Sequence, residues 1–132
     1  MAHLPGTADE IRGRVPAALE AYLFTRDNVL HGGLVDASLK ELCFRYLADD
    51  PEASDFPRFE GRERAALEWA QAIAWDSDKA DDALWSRLHE LFSEPELVEL
   101  GCAIGFELGQ QHWRRTIGLP ARSSHSDPVR DC

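Results

Sequence analysis

No stretch of this chain alternates apolar and polar residues for long enough to write a convincing strand, and no uninterrupted apolar run approaches the ~20 residues of a membrane span. Cysteine is scarce. Cys43, Cys102 and Cys132 lie far apart, form no C-x-x-C, and as an odd set fit neither a disulfide framework nor a zinc site. No histidine pair has metal spacing, and there is no phosphate-cradling glycine loop or nucleophile elbow. No metal or cofactor is therefore expected. Bases are few as well, 14 Lys and Arg against 24 Asp and Glu, for a formal net charge of −10. Such a balance repels phosphate backbones and anionic lipid, which argues against nucleic acid and membrane surfaces as partners. The opening MAHLPGTADEIRGR lacks the basic-then-apolar order of a signal peptide. The expectation is a cytoplasmic protein of one domain, with 44% hydrophobic residues among 132 to build its core.

What is present is a set of helical blocks punctuated by Pro and Gly. Residues 1–15 read as an N-terminal extension, 16–120 as the folded domain and 121–132 as a disordered tail. A first helix is expected from Pro16 to Leu30, opened by a proline suited to the first turn and stopped by Gly32 and Gly33. Asp36 is placed to cap a second, Ala37 to Ala48, whose stripe is Leu39, Leu42, Cys43, Tyr46 and Leu47. An acidic loop, Asp49 to Pro57, leads to a third helix from Gly61 to Trp75 with Ala66, Trp69, Ala70 and Ile73 on one face. Asp78 is the expected cap of a fourth, which shows Leu84, Leu88, Leu91 and Phe92, with Trp85 flanking. Ser93 to Glu96 has the S-x-x-E form of a capping box and opens a fifth helix that ends near Ile117.

The fifth helix is apolar on almost every side between Leu97 and Leu108, interrupted only by charges at Glu99 and Glu107, and is therefore expected at the centre of the bundle. Gly101, Gly105 and Gly109 recur four apart along one line. Each glycine costs a helix about 1 kcal/mol against alanine, so a close-packed neighbour is expected there. That neighbour is either another helix of the same chain or the same helix of a second subunit.

The groups able to do chemistry each have a structural alternative. Cys43 lies on the apolar stripe and reads as inert packing, and Cys102 more strongly so. Glu41 stands four residues before Arg45, the spacing of a surface ion pair; the sharper reading makes Glu41 a general base. Glu107 interrupts the apolar helix, and burial would raise its pKa. Gln110, Gln111, His112 and Trp113 follow it, so a polar cluster closes the helix. The cluster is either a structural network, with Arg45 or Arg115 as partner, or the lining of a pocket. His31, at the end of the first helix, suits a capping role or acid–base work, and His89 is expected against Trp85 or in solvent.

Two stretches, HGGLVDASLKEL (His31 to Leu42) and ERAALEWAQAIAWDSDKADDALWSRLHELFSEPELVELGCAIGF (Glu63 to Phe106), resemble in order the helices of the carboxymuconolactone decarboxylase family, which includes the AhpD-like alkylhydroperoxidases. The resemblance spans residues 29–119. It implies that the bundle of about five helices read above is an AhpD-like all-α fold that assembles as a dimer, trimer or hexamer. Glu41 matches a family glutamate that belongs to a proton relay. The redox branch also carries C-x-x-C-x-x-x-H after that helix, whereas the corresponding interval here holds Ala53, Phe56 and the acidic loop DDPEASDFPRFEG, with no cysteine. Dithiol peroxidase chemistry is therefore not expected. The leading expectation is an AhpD-like module that binds a small organic molecule or serves assembly. The alternative is a non-redox decarboxylase or isomerase acting on a small organic acid. There Glu41 or Glu107 would move a proton with His31 or His112, Arg45 would hold the substrate carboxylate, and Gln110, Gln111 and Trp113 would line the site. A third expectation is a one-cysteine redox role for Cys43.

Overall fold

The computed structural model describes residues 3–122 and is built from helices alone; no strand occurs among the described residues. Of the expected tail, only Ala121 and Arg122 fall within the described residues; the rest, Cys132 included, lies outside them.

Among the described residues six α-helices follow one another: α1 (Ala8–Arg12), α2 (Pro16–Thr25), α3 (Ala37–Leu47), α4 (Gly61–Trp75), α5 (Asp82–Leu91) and α6 (Glu94–Thr116). A five-residue π-helical turn, Arg26–Leu30, continues α2, and short 3-10 turns cover Phe56–Arg58 and Ser77–Lys79. The segment read as an extension holds α1, capped by a reciprocal Thr7–Glu10 box. Threonine followed three residues later by glutamate is the same signal that marks α6, where Ser93 accepts from the Glu96 amide at 3.3 Å and Glu96 accepts from the Ser93 amide at 2.8 Å. Two expected caps differ. The carboxylate that caps α5 belongs to Asp81, which accepts from the Leu84 amide at 2.9 Å, because the 3-10 turn consumes Ser77 to Lys79. Asp36 occupies the position before α3 without a side-chain cap bond; its carbonyl receives the Leu39 and Lys40 amides.

The stripes read from the sequence converge on one core. Cys43, Leu47, Leu88, Leu100 and Ile104 are wholly buried, with Phe44, Trp69 and Leu84 among them. Burying each leucine or isoleucine contributes about 1.5–3 kcal/mol. Leu42, Ala53 and Leu67 form a smaller cluster beneath Phe56 and Phe59 where the acidic loop folds back. Helix α6 packs on α3, on α4 and on the π-helical turn. It is not covered all round, however. Val98, Cys102, Gly105 and Gly109 are exposed, so small and medium apolar residues form one open face. Of the glycine line, only Gly101 has an internal reason: a Cβ there would stand 2.8 Å from Cη2 of Trp69, whereas one at Gly105 or Gly109 would meet nothing within 4 Å.

A buried ion pair fixes the link between α2 and α3. The side chain of Lys40 is fully buried, and its Nζ donates to the carbonyls of Val29 at 2.7 Å and Gly32 at 2.6 Å while pairing with Glu99 at 2.8 Å. Glu99 in turn accepts from the amides of Leu34 at 2.9 Å and Val35 at 2.7 Å. Gly33, at φ 99°, passes so close to this carboxylate that a side chain would clash with it. No described helix is long and apolar enough to cross a membrane.

Candidate functional site

On α3 the residue after Lys40 is Glu41, and the two neighbours enter different environments. Glu41 reaches Arg122, just beyond the last helix, and accepts two guanidinium bonds of 2.5 and 2.9 Å. The Nε of the same arginine stands 3.6 Å from a carboxylate oxygen of Glu107 on α6. One helical turn on, Gln111 donates from Nε2 to Glu107 at 2.9 Å and to the Phe44 carbonyl of α3 at 3.0 Å. Arg122 thus bridges two carboxylates, and Gln111 ties one of them to the backbone of the neighbouring helix.

The electrostatics of the two acids differ. Glu41 is nearly half exposed, at 45%, and holds its guanidinium in partial contact with water. The Glu107 side chain is only 12% exposed. Burial pushes its carboxyl above the ordinary value; the Gln111 bond and Arg122 pull the other way, and Glu41 adds repulsion. Tyr22 of α2 lies close enough to feel the Glu107 charge, and burial likewise raises its phenol. His31, at the end of the π-helical turn, feels Glu41 and Arg122, but burial is the strongest influence and lowers its imidazole. Gln111 is 1% exposed, and its Oε1 has no hydrogen-bond partner among the described residues. A buried acceptor left so costs about 1–3 kcal/mol, and a donor from a bound molecule would recover it.

Of the residues singled out from the sequence, Glu41, Glu107 and Gln111 therefore meet, with His31 at their margin. Gln110 and Trp113 join a second cluster that docks α1. Arg12, 6% exposed, donates to Gln110 Oε1 at 3.2 and 2.9 Å, lies 3.6 Å over the Tyr22 ring and 5.1 Å from the Trp113 ring, and pairs with Asp9 at 2.6 Å. Arg45 and His112 stand apart from Glu107. Arg45 turns toward the acidic loop, 3.4 Å from Glu52 and 3.9 Å from Asp50, so the expected Glu41–Arg45 pair is replaced by Glu41–Arg122. His112 is exposed on the far face of α6, with its ring edge-on to Trp75 at 5.8 Å. Arg115 turns to Asp49 at 3.6 Å and not to Glu107. His89 packs at 5.7 Å against Trp85, as its spacing indicated.

Arg122 and Tyr22 were missed. Arg122 lies 81 residues from Glu41, in a segment whose composition reads as tail, and no local signal announces it. Tyr22 offered a weak one: it is the only hydroxyl within the apolar run AALEAYLF of α2.

Neither of the described cysteines, Cys43 and Cys102, forms a disulfide. Cys43 is wholly buried, and burial pushes it up to about 12, so its thiolate is suppressed. Cys102, expected in the core, is exposed because it falls on the open face of α6. Among the described residues no three His, Cys, Asp or Glu side chains gather as a metal site.

Comparison with family models, with curated proteins and with solved structures finds no match to this chain.

Proposed function

We propose that the junction of Glu41, Glu107, Gln111 and Arg122 is the recognition site of a cytoplasmic, AhpD-like helical module that binds a small organic molecule without thiol redox chemistry. The observation that carries this reading is the buried Glu107–Gln111 pair, with its raised carboxyl and its uncompensated Oε1 acceptor. A neutral Glu107 donates a proton or hydrogen bond, Gln111 accepts one, and Arg122, released from Glu41, offers a fork for a carboxylate. A small hydroxy-acid satisfies all three, its hydroxyl accepting from Glu107 and donating to Gln111; an oxo-acid satisfies the first and third. The inert thiol of Cys43 argues against a one-cysteine redox role. The family resemblance also leads us to propose self-association through the C-terminal half of α6, where Gly105 and Gly109 face outward and exposed Trp75 of α4 lies beside His112.

A second reading is favoured by the contrast between the two acids. Glu107 is pushed toward its neutral form while Glu41 accepts a charge-assisted bond, the division of labour of an acid–base pair. In that reading the site either isomerises the acid it binds, Glu41 taking a proton from one carbon and Glu107 delivering one to another, or decarboxylates it, the C–C bond breaking to release CO2 and Glu107 protonating the carbon left behind.

The test is a thermal-shift and NMR screen of small hydroxy- and oxo-acids on the full chain. We expect a binder whose effect disappears in Gln111→Leu and weakens in Glu107→Gln. A binder whose effect neither variant changes places recognition elsewhere and refutes the reading. Turnover of the bound acid, lost in both Glu41→Gln and Glu107→Gln, would select the enzyme.

A further inference from the structure

The open face of α6 holds a second feature, remote from the acidic junction. Residues 98, 101 and 102 fall on the side of the helix opposite residues 107 and 111, at about 100° per residue. There the surface is recessed into a groove of about 460 Å³, walled by Trp69, Trp85, Leu97, Val98 and Cys102. The volume lies within the range of small-molecule sites, roughly 300–1,000 Å³. The groove is built rather than incidental. The Trp69 and Trp85 rings meet edge-to-face, 5.4 Å apart and inclined at 67°. Gly101 lets the Trp69 ring lie against α6, since any Cβ there would stand 2.8 Å from it.

Charge narrows the occupant. Beyond the indoles and aliphatic groups, the lining residues include His89 and Glu94 and no lysine or arginine. Glu94 has no ion-pair partner among the described residues, whereas Glu96 pairs with Arg62 and Glu99 with Lys40. The start of α6 would by itself favour an anion. Here, however, Ser93 and Glu96 cap each other's amides, and Glu94 adds an unneutralised charge. An aromatic face next to a free carboxylate, on a chain of net charge −10, is complementary to a cation with an apolar body. A neutral molecule would gain only the apolar contact, and an anion would be repelled.

We propose that this groove is a binding site for a small organic cation, an ammonium group carried on an aromatic or alicyclic body. The exposed thiol of Cys102 within the lining provides the reporter.

The experiment uses the full chain with Cys132→Ser, so that Cys102 is the accessible thiol and Cys43 stays buried. The probes are 2-phenylethylamine, 2-phenylethanol and 3-phenylpropionate, read by tryptophan emission and by the rate of Cys102 alkylation with iodoacetamide. The amine is expected to saturate the emission change, to bind about tenfold more tightly than the alcohol, and to slow alkylation, with the acid weakest. Glu94→Gln brings amine and alcohol within about twofold of each other. Val98→Lys, at a position 66% exposed, abolishes binding without altering thermal unfolding. Equal affinity for amine and alcohol overturns the cation assignment. Absence of saturation, or unchanged binding in Val98→Lys, overturns the site. Sedimentation showing that Cys102 protection follows protein concentration rather than amine would assign the groove to a second copy of the chain, and overturns the proposal likewise.

Discussion

Lys40 and Glu41 are adjacent on α3, both face carboxylate- or guanidinium-bearing partners brought from elsewhere in the chain, and yet they end in opposite situations. Lys40 is wholly buried and fully satisfied: two carbonyls and Oε2 of Glu99 take its ammonium, while the Val35 amide shares that oxygen and the Leu34 amide takes Oε1. The second cluster has two acids on one arginine, a carboxyl driven toward neutrality and a buried acceptor left without a donor. Where every donor and acceptor is matched, a polar cluster fixes structure and has nothing left to offer a ligand. Where the matching is incomplete, the same kind of cluster keeps binding capacity, at a cost in stability.

The sharpest way to break the comparison is Lys40→Met. Removing one partner of a buried pair strands the Glu99 carboxylate and two carbonyls, and we expect a loss of about 3–5 kcal/mol in urea unfolding at neutral pH. A loss no greater than for a surface residue would show that the 29–35 segment is held some other way.

The two clusters should also respond to pH in opposite senses. Burial opposes ionisation of Glu99, but the Lys40 bond and the Val35 and Leu34 amides outweigh it, and its carboxyl lies below the ordinary 4.5. The stability it contributes is complete above 4.5 and is lost as pH falls through the depressed value. Glu107 is raised, so the folded chain keeps that proton longer than the unfolded chain; its contribution is complete below 4.5 and is lost as pH rises through the raised value. Glu107→Gln should therefore flatten the decline above 4.5 and leave the acid side unchanged. The effect on stability is on the order of 1 kcal/mol, one buried hydrogen bond. Unfolding midpoints measured across this range in parent and variant check it, and an unaltered slope would remove Glu107 as the titrating group.

Helix α6 carries members of both clusters, and its open face offers a control. Gly109→Leu should gain helix propensity of about 1 kcal/mol, because nothing within 4 Å opposes a side chain there, and should lower the assembled mass in light scattering. An unchanged mass would remove this face from any subunit contact. The smallest effect is expected at Arg45→Ala. Its partners Asp50 and Glu52 are 32% and 55% exposed, so the loss should stay near 0.5 kcal/mol in chemical unfolding. A loss above about 2 kcal/mol would mean that the acidic loop is a structural element in its own right.

The legibility of the chain follows the range of the interactions. Helix α4 starts and stops at Gly61 and Trp75, where its residues indicate, and the Ser93–Glu96 box opens α6 as its spacing requires, because both depend on contacts a few residues apart. The Thr7–Glu10 box carries the same signal and was passed over, since α1 is too short to show an apolar period. Half of the acidic junction was also legible: a charge inside an apolar helix singles out Glu107, and the family resemblance singles out Glu41. Which cation meets them was not. Lys40, Glu41 and Arg45 are all near neighbours on one helix, yet they pair with residues 99, 122 and 50–52, and spacing along the sequence favours none of these partners over the others.

The sequence by itself determined the five longer helices, the capping box that opens α6, the apolar stripes that pack together and the absence of a paired thiol motif. Each of these depends on residues close in the chain or on composition. Only the tertiary structure decided that Lys40 is sealed while Glu41 stays reachable, that Cys102 faces outward while Cys43 does not, and that Arg122 closes the junction. Those outcomes depend on which surfaces of separate helices come to face each other, and so on desolvation, which no short window of sequence encodes.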